Sequence, residues 1–205
     1  FLSLIKVLDY FGCLDNLKPT EIGRSVGSLR GENELWVGLV LMSGHLDELT
    51  PIELSGVIES IITDFNRPDL WSGFIPSPRA EESFNDLSII RSELFRTQER
   101  FNIDIPILWS PELIGLVEAW ARGCTWTDLI SNTSLDEGDV VRILRRTIDM
   151  LSQLPYCEAV SKQLRTNAKA AIKLLDRFPV CEAEDIMKAK DKRDNLGNPA
   201  TERAN

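Results

Sequence analysis

The stretch LDEGDVVRILRRTIDMLSQL, residues 135–154, decides how this chain folds. Val140, Leu144, Thr147, Ile148, Leu151 and Leu154 recur at helical spacing and make one face broad enough to dock into a core. Arg142, Arg145, Arg146, Asp149 and Gln153 collect on the other side, within an arc of about 100°. A charge stripe opposite an apolar stripe is what any surface helix shows. Three arginines with no lysine among them point further, because the planar guanidinium suits phosphate contact and base stacking. Asp149 is placed to pair with Arg145 or Arg146 at helical spacing, which would blunt that cationic face.

Working outward, the same grammar repeats. WARGCTWTDLISNTS (Trp120–Ser134) reads as a helix end, a glycine stop and a short helix beginning at Thr125, followed by a turn into the arginine helix. That is the order of a helix-turn-helix. Thr50-Pro51-Ile52-Glu53 carries a capping Thr, a Pro at the first helical position and a Glu at the third, a capping box. Ser134–Glu137 reads as another. Ser110-Pro111 opens a helix that Gly123 closes. Helices are predicted near 2–12, 20–28, 32–43, 51–65, 79–101, 111–122, 126–131, 136–154 and 157–177, and no sustained period-two run predicts a sheet. The fold class is therefore all-α, a multi-helix bundle with a helix-turn-helix-like element near residues 111–154. Residues 1–30 read as the start of the bundle or the end of a preceding segment, 31–180 as the bundle, and 181–205 as a charged tail poor in large apolar residues, expected to be disordered.

The composition agrees with a packed domain: 43% of residues are apolar and 27% charged, with a formal net charge of −9. The acidity is uneven. Gly138–Arg177 holds eight basic residues against four acidic ones, so the rest of the chain is more acidic than the total suggests. Such a protein is no general polyanion binder, although it can present one basic surface. No apolar run approaches the roughly 20 residues of a membrane span, so no membrane contact is expected. The four cysteines are scattered without a C-x-x-C pair, which predicts core packing in a reducing compartment and no structural zinc. Because the chain opens on Phe1 inside a helical pattern, it is expected to be part of a longer polypeptide.

Catalytic grammar is missing. There is no phosphate-binding G-x-x-x-x-G-K-[ST] loop and no G-x-G-x-x-G turn. The single histidine, His45, lies in SGHLDEL, a connector without positioned partners. No catalytic residue, no metal ligand and no cofactor of its own is expected.

With these residues in view, the chain resembles a known family. RGENELWVGLVLMSGHLDELTPIELSGVI (Arg30–Ile58) and LVEAWARGCTWTDLISNTSLDEGDVVRILRRTIDMLSQL (Leu116–Leu154) look like the C-terminal helical, or DSHCT, domain of DExH-box RNA helicases. That group includes the superkiller and exosome-associated helicases and bacterial HelY. The resemblance implies a domain that packs across ATP-hydrolysing motor domains and touches single-stranded RNA with one helix, the ratchet helix. ATP and Mg would belong to motor domains upstream. By the same resemblance Arg142, Arg145 and Arg146, with Gln153 beside them, are candidate RNA or motor-domain contacts. An acidic partner is expected near Asp64 or Phe65. The LWSGF and DRFPV stretches look like the cyanobacterial and plastid branch, which suggests a chloroplast setting, with nucleus or cytoplasm as the alternatives.

Three functions remain in view: RNA guidance by a helicase accessory domain, duplex-DNA binding by a helix-turn-helix regulator, and protein docking without nucleic acid. The first is preferred, as a monomer. Leu35, Trp36, Leu39, Val57, Ile61, Leu116, Trp120, Leu144, Ile148 and Leu151 are expected in the core, and the 79–101 helix has no assigned role beyond packing.

Overall fold

A computed structural model describes residues 2–64 and 69–181. The tail predicted from residue 182 onward, and Phe65, lie outside them. Nine α-helices occur among the described residues: α1 (Leu2–Tyr10), α2 (Glu21–Ser28), α3 (Glu34–Met42), α4 (Pro51–Ile62), α5 (Pro78–Arg100), α6 (Ile114–Ala121), α7 (Trp126–Ser131), α8 (Glu137–Gln153) and α9 (Lys162–Leu175). The bundle is all-α apart from one small hairpin. Strands β1 (Leu14–Asp15) and β2 (Lys18–Pro19) pair antiparallel through Asn16 and Leu17, both at positive φ. Two-residue strands leave no alternation to read, and the left-handed Asn-Leu pair lacks the glycine that usually flags such a turn.

Helix α4 is the hub, packed against α5, α6, α8 and α9. Its start is the expected capping box: Glu53 N–H donates to Thr50 Oγ1 at 3.3 Å and Thr50 N–H to Glu53 Oε2 at 2.8 Å. Every residue from Leu54 to Ile62 is buried. Neighbours come this close because the helix carries small residues where they cross. A Cβ on Gly56 would stand 2.8 Å from the Ile114 carbonyl of α6. Ser55 and Ser60 donate their hydroxyls to carbonyls of their own helix, so they are buried without an unmet donor.

The other helices wrap this hub, and the sequence reading needs correction at particular ends. The last helix starts at Lys162 and not at 157. Leu154–Tyr156 tightens into a 3-10 turn at Pro155, and Ser161 supplies the N-cap, its Oγ accepting from Leu164 N. Ser134 does not cap α8; Asp136 does, accepting from Asp139 N at 2.7 Å. Ser110 precedes a 3-10 turn at Pro111–Leu113 and makes no cap bond. Gly123 closes α6 as expected, at φ +98°. Of the anticipated core, Leu39 and Ile148 are only partly buried at its margin, and the other eight residues are buried. Val7, Cys13, Val26 and Leu29 join the same core, so the first 30 residues pack with the rest. Cys13 and Cys157 are buried and Cys124 and Cys181 partly so, and none of them is joined in a disulfide among the described residues.

No helix among the described residues is long and apolar enough to cross a membrane, and no cluster of His, Cys, Asp or Glu there is arranged to hold a metal ion.

Candidate nucleic-acid interface

Helix α8 begins with Glu137 and Asp139 in its first turn, where carboxylates complement the helix dipole. Val140, Leu144, Thr147, Leu151 and, just beyond the helix, Leu154 are fully buried, so the apolar face is the docked one. The arginines lie on the other side, but they do not form one uniform stripe. Arg142 pairs with Asp139 of the same helix; its side chain is 62% exposed while that of Asp139 is 7% exposed. Arg145 donates from Nε to the Val180 carbonyl at 2.8 Å and braces the segment after α9. Arg146 turns inward, donating from Nη2 to the Ile62 carbonyl at 3.1 Å and reaching Glu32 Oε1 at 3.4 Å. Arg146 thus pairs with Glu32, from the turn before α3; by spacing alone Asp149 reads as a partner of Arg145 or Arg146.

The Ile62 contact belongs to a larger arrangement. The last carbonyls of a helix have no partner within it. At the end of α4, Ser60 O accepts from Ser110 N (2.8 Å), Ile61 O from Trp36 Nε1 (3.2 Å), Ile62 O from Arg146, and Thr63 O from Ser110 Oγ (2.8 Å). Three distant segments therefore close one helix end. This explains why Ser110 is no cap for its own helix: its hydroxyl and its amide are both committed to α4.

Gln153, at the far end of α8, accepts the Arg30 N–H at 2.7 Å and donates to the Arg30 carbonyl at 3.3 Å. It pins the GENEL turn against α8. Between them lies a cleft of about 280 Å³ lined by Arg30, Glu32, Trp36, Ile62, Arg146 and Gln153, among others. The structure brings Arg146 and Gln153 together at this cleft. Arg142 and Arg145 stand outside it on the same helix.

Beneath Arg146 sits Glu59, fully buried within α4. Its carboxyl is pushed up to about 7 by burial, which outweighs the hydrogen bond with Thr147, the neighbouring Thr63 hydroxyl and the Arg146 charge. Thr147 Oγ1 is 2.6 Å from Glu59 Oε2 and 2.9 Å from the Ile143 carbonyl. A hydroxyl has one hydrogen. Thr147 is the donor in both contacts, so its single hydrogen is shared between the Glu59 carboxyl and the Ile143 carbonyl. Glu59 is thus a buried acidic neighbour of the arginine helix; of the two positions expected for an acidic partner, Asp64 is exposed and Phe65 lies outside the described residues. The sequence did not flag Glu59: Ser55, Glu59, Ser60 and Thr63 fall on one side of the helix at helical spacing and read as a solvent face, yet the fold buries that side as well.

Comparison with known proteins follows the same outline. The DSHCT (NUC185) domain model matches residues 16–183. The chain is 36% identical over 165 residues to the chloroplastic DExH-box ATP-dependent RNA helicase DExH15 of Arabidopsis thaliana, covering 78% of this chain and 14% of that protein. It is 26% identical over 172 residues to the probable helicase HelY of Mycobacterium leprae, covering 78% and 19%. It is 25% identical over 167 residues to the DExH-box ATP-dependent RNA helicase DExH11 of Arabidopsis thaliana, covering 78% and 12%. The chain spans less than a fifth of the length of each of these relatives.

Proposed function

The chain belongs to the DSHCT (NUC185) domain family, and from that premise we propose that it is the C-terminal accessory helical domain of an ATP-dependent DExH-box RNA helicase. Its part is to pack on motor domains of the same polypeptide and to guide a single RNA strand along α8. ATP and Mg chemistry belongs, in this reading, to those motor domains. A chloroplast setting is proposed from the chloroplastic relative.

The observation that supports strand guidance is the outer face of α8. Arg142 and Arg146 keep 62% and 41% of their side chains exposed while the helix beneath them is locked to α4. A fixed helix presenting half-exposed guanidiniums is pre-organised for phosphates. Each arginine also has a carboxylate neighbour, so a phosphate must compete for it, and binding by this domain alone is weak. One fact favours a second reading, docking without RNA: Arg145 and Arg146 both give hydrogen bonds to protein carbonyls.

Fluorescence anisotropy separates the two. Labelled single-stranded RNA and duplex DNA are titrated with the chain and with an Arg142→Ala/Arg145→Ala/Arg146→Ala variant of unchanged circular dichroism. Guidance predicts binding that prefers the single strand and is lost in the variant. A preference for duplex DNA would instead support a helix-turn-helix regulator. Absence of binding by either protein would leave docking to the motor domains.

A further inference from the structure

The 69–77 segment, between α4 and α5, contains an element the arginine face does not account for. Its backbone is fastened to the turn between α7 and α8. Trp71 N–H donates to Ser134 Oγ at 2.9 Å, and Trp71 O accepts from Ser134 N and from Thr133 Oγ1, each at 3.1 Å. Gly73 N–H donates to Asn132 O at 2.9 Å. The strap then crosses α6 so closely that a Cβ on Gly115 would stand 2.1 Å from the Phe74 carbonyl. Beyond that crossing, Ser77 is held by the buried Glu118, which accepts from its N–H at 2.8 Å and its hydroxyl at 2.6 Å.

A segment held this firmly nevertheless leaves its largest side chain outside. Of the five tryptophans, Trp36 and Trp120 are fully buried and Trp109 and Trp126 partly so, whereas Trp71 is 52% exposed. Its position is specific. Ser134 precedes the N-cap of α8 by two residues, and Arg142 lies roughly 7.5 Å along the helix from its first residue, Glu137, at about 1.5 Å per residue. That is about two nucleotide rises of a stacked strand at roughly 3.4 Å each. At the C-terminal end of α4, the Ile62 carbonyl accepts from Arg146. Trp71 and the Arg146 cleft thus stand toward opposite ends of the arginine helix, with Arg142 between them.

We infer that Trp71 is a base-stacking platform for the single strand, at the N-terminal end of the path whose phosphates meet Arg142 and Arg146. The inference rests on the strand-guidance reading above. A half-exposed indole on a fastened backbone, bonded to the turn that leads into an arginine-bearing helix, is a feature that sequence-tolerant single-strand binding uses, because every base has a face to stack. An exposed indole by itself would suit a protein partner equally. The arginines on the adjoining helix decide for a polyanion with aromatic bases.

The test measures single-stranded RNA affinity of the full 205-residue chain and of Trp71→Ala, Trp71→Phe and Arg142→Ala, each at several salt concentrations. The strap bonds of Trp71 are made by its backbone, so the alanine variant keeps them, and an unchanged urea midpoint verifies this. Stacking predicts that Trp71→Ala weakens binding between about fivefold and a hundredfold, that Trp71→Phe restores most of it, and that the salt slope stays at the wild-type value. Arg142→Ala should lower the slope. Undiminished binding by Trp71→Ala, with Arg142→Ala impaired, overturns the platform and leaves strand guidance standing. No binding by the wild-type chain overturns both.

Discussion

Two places in this molecule use an arginine and a tryptophan to close helix ends, and they differ in what lies outside them. Where α6 meets α9, the exchange is reciprocal. Trp120 Nε1 of α6 donates to Leu175 O at the end of α9, and Arg177, just past α9, donates to Trp120 O and Cys124 O at the end of α6, both at 2.7 Å. The Arg177 guanidinium lies 3.2 Å from the Trp120 ring centroid, and burial pulls its pKa below the ordinary value. At the end of α4, Trp36 and Arg146 likewise serve neighbouring carbonyls. Here, however, the arginine fronts a cleft and stands over a buried carboxyl. The first joint spends its arginine wholly on the fold. The second uses the same device and keeps an outward side.

The difference can be broken by mutation, and the largest effect belongs to the closed joint. Arg177→Ala removes two charge-assisted hydrogen bonds and a cation–π stack, and should cost roughly 3 kcal/mol after solvent recovers part of them. Urea unfolding followed by circular dichroism measures it, and RNA affinity of the folded variant should not change.

Glu59 comes next. A carboxyl whose pKa rises on folding, here from 4.5 to about 7, binds its proton more tightly in the folded state. Its contribution to stability is therefore full below pH 4.5, declines as pH rises toward 7, and is level above that. Glu59→Gln keeps the shape and a donor without the ionisation. It should be more stable than wild type at pH 8, by up to about 3 kcal/mol if the whole shift is recovered, and should lose that advantage toward pH 5. Unfolding midpoints at pH 5, 6, 7 and 8 provide the comparison.

The open joint predicts smaller losses of stability and larger losses of binding. Arg146→Ala gives up one bond from a charged donor to a buried carbonyl, about 1–2 kcal/mol, and should also weaken single-stranded RNA binding. Arg142→Ala breaks only an ion pair whose arginine is largely in water, and should shift stability by less than about 1 kcal/mol. The midpoint of thermal unfolding resolves both. An Arg142 variant as unstable as the Arg177 variant would erase the distinction between the two joints.

The contrast also marks what could be read from the chain alone. Local grammar was legible: the Thr50 capping box, the Gly123 stop, the buried and exposed faces of α8, and the motif order that resembled the DSHCT family. Bonds to helix ends made across the fold were not. Nothing near Ser110 in sequence says that its hydroxyl serves Thr63, 47 residues away. Nor does anything beside Arg146 name the Ile62 carbonyl, 84 residues away, as its acceptor. Arg177 appeared as one more cation of a basic segment, although its partners are an indole ring and two carbonyls. Glu59 was not legible either: it shares a helical side with Ser55, Ser60 and Thr63, which reads as solvent-facing, and only the packing of the other helices buries that side.

The central claim is that α8 presents Arg142 and the open-joint Arg146 to a single RNA strand. The most direct measurement is the salt dependence of single-stranded RNA affinity for the wild-type chain and the Arg142→Gln/Arg146→Gln and Arg177→Gln variants. Each phosphate contact contributes about 0.7 to the log–log slope for a single strand. The account predicts that the first variant is shallower by roughly one unit or more and that folded Arg177→Gln keeps the wild-type slope. Equal slopes for all three would show that the arginine helix carries no strand contact.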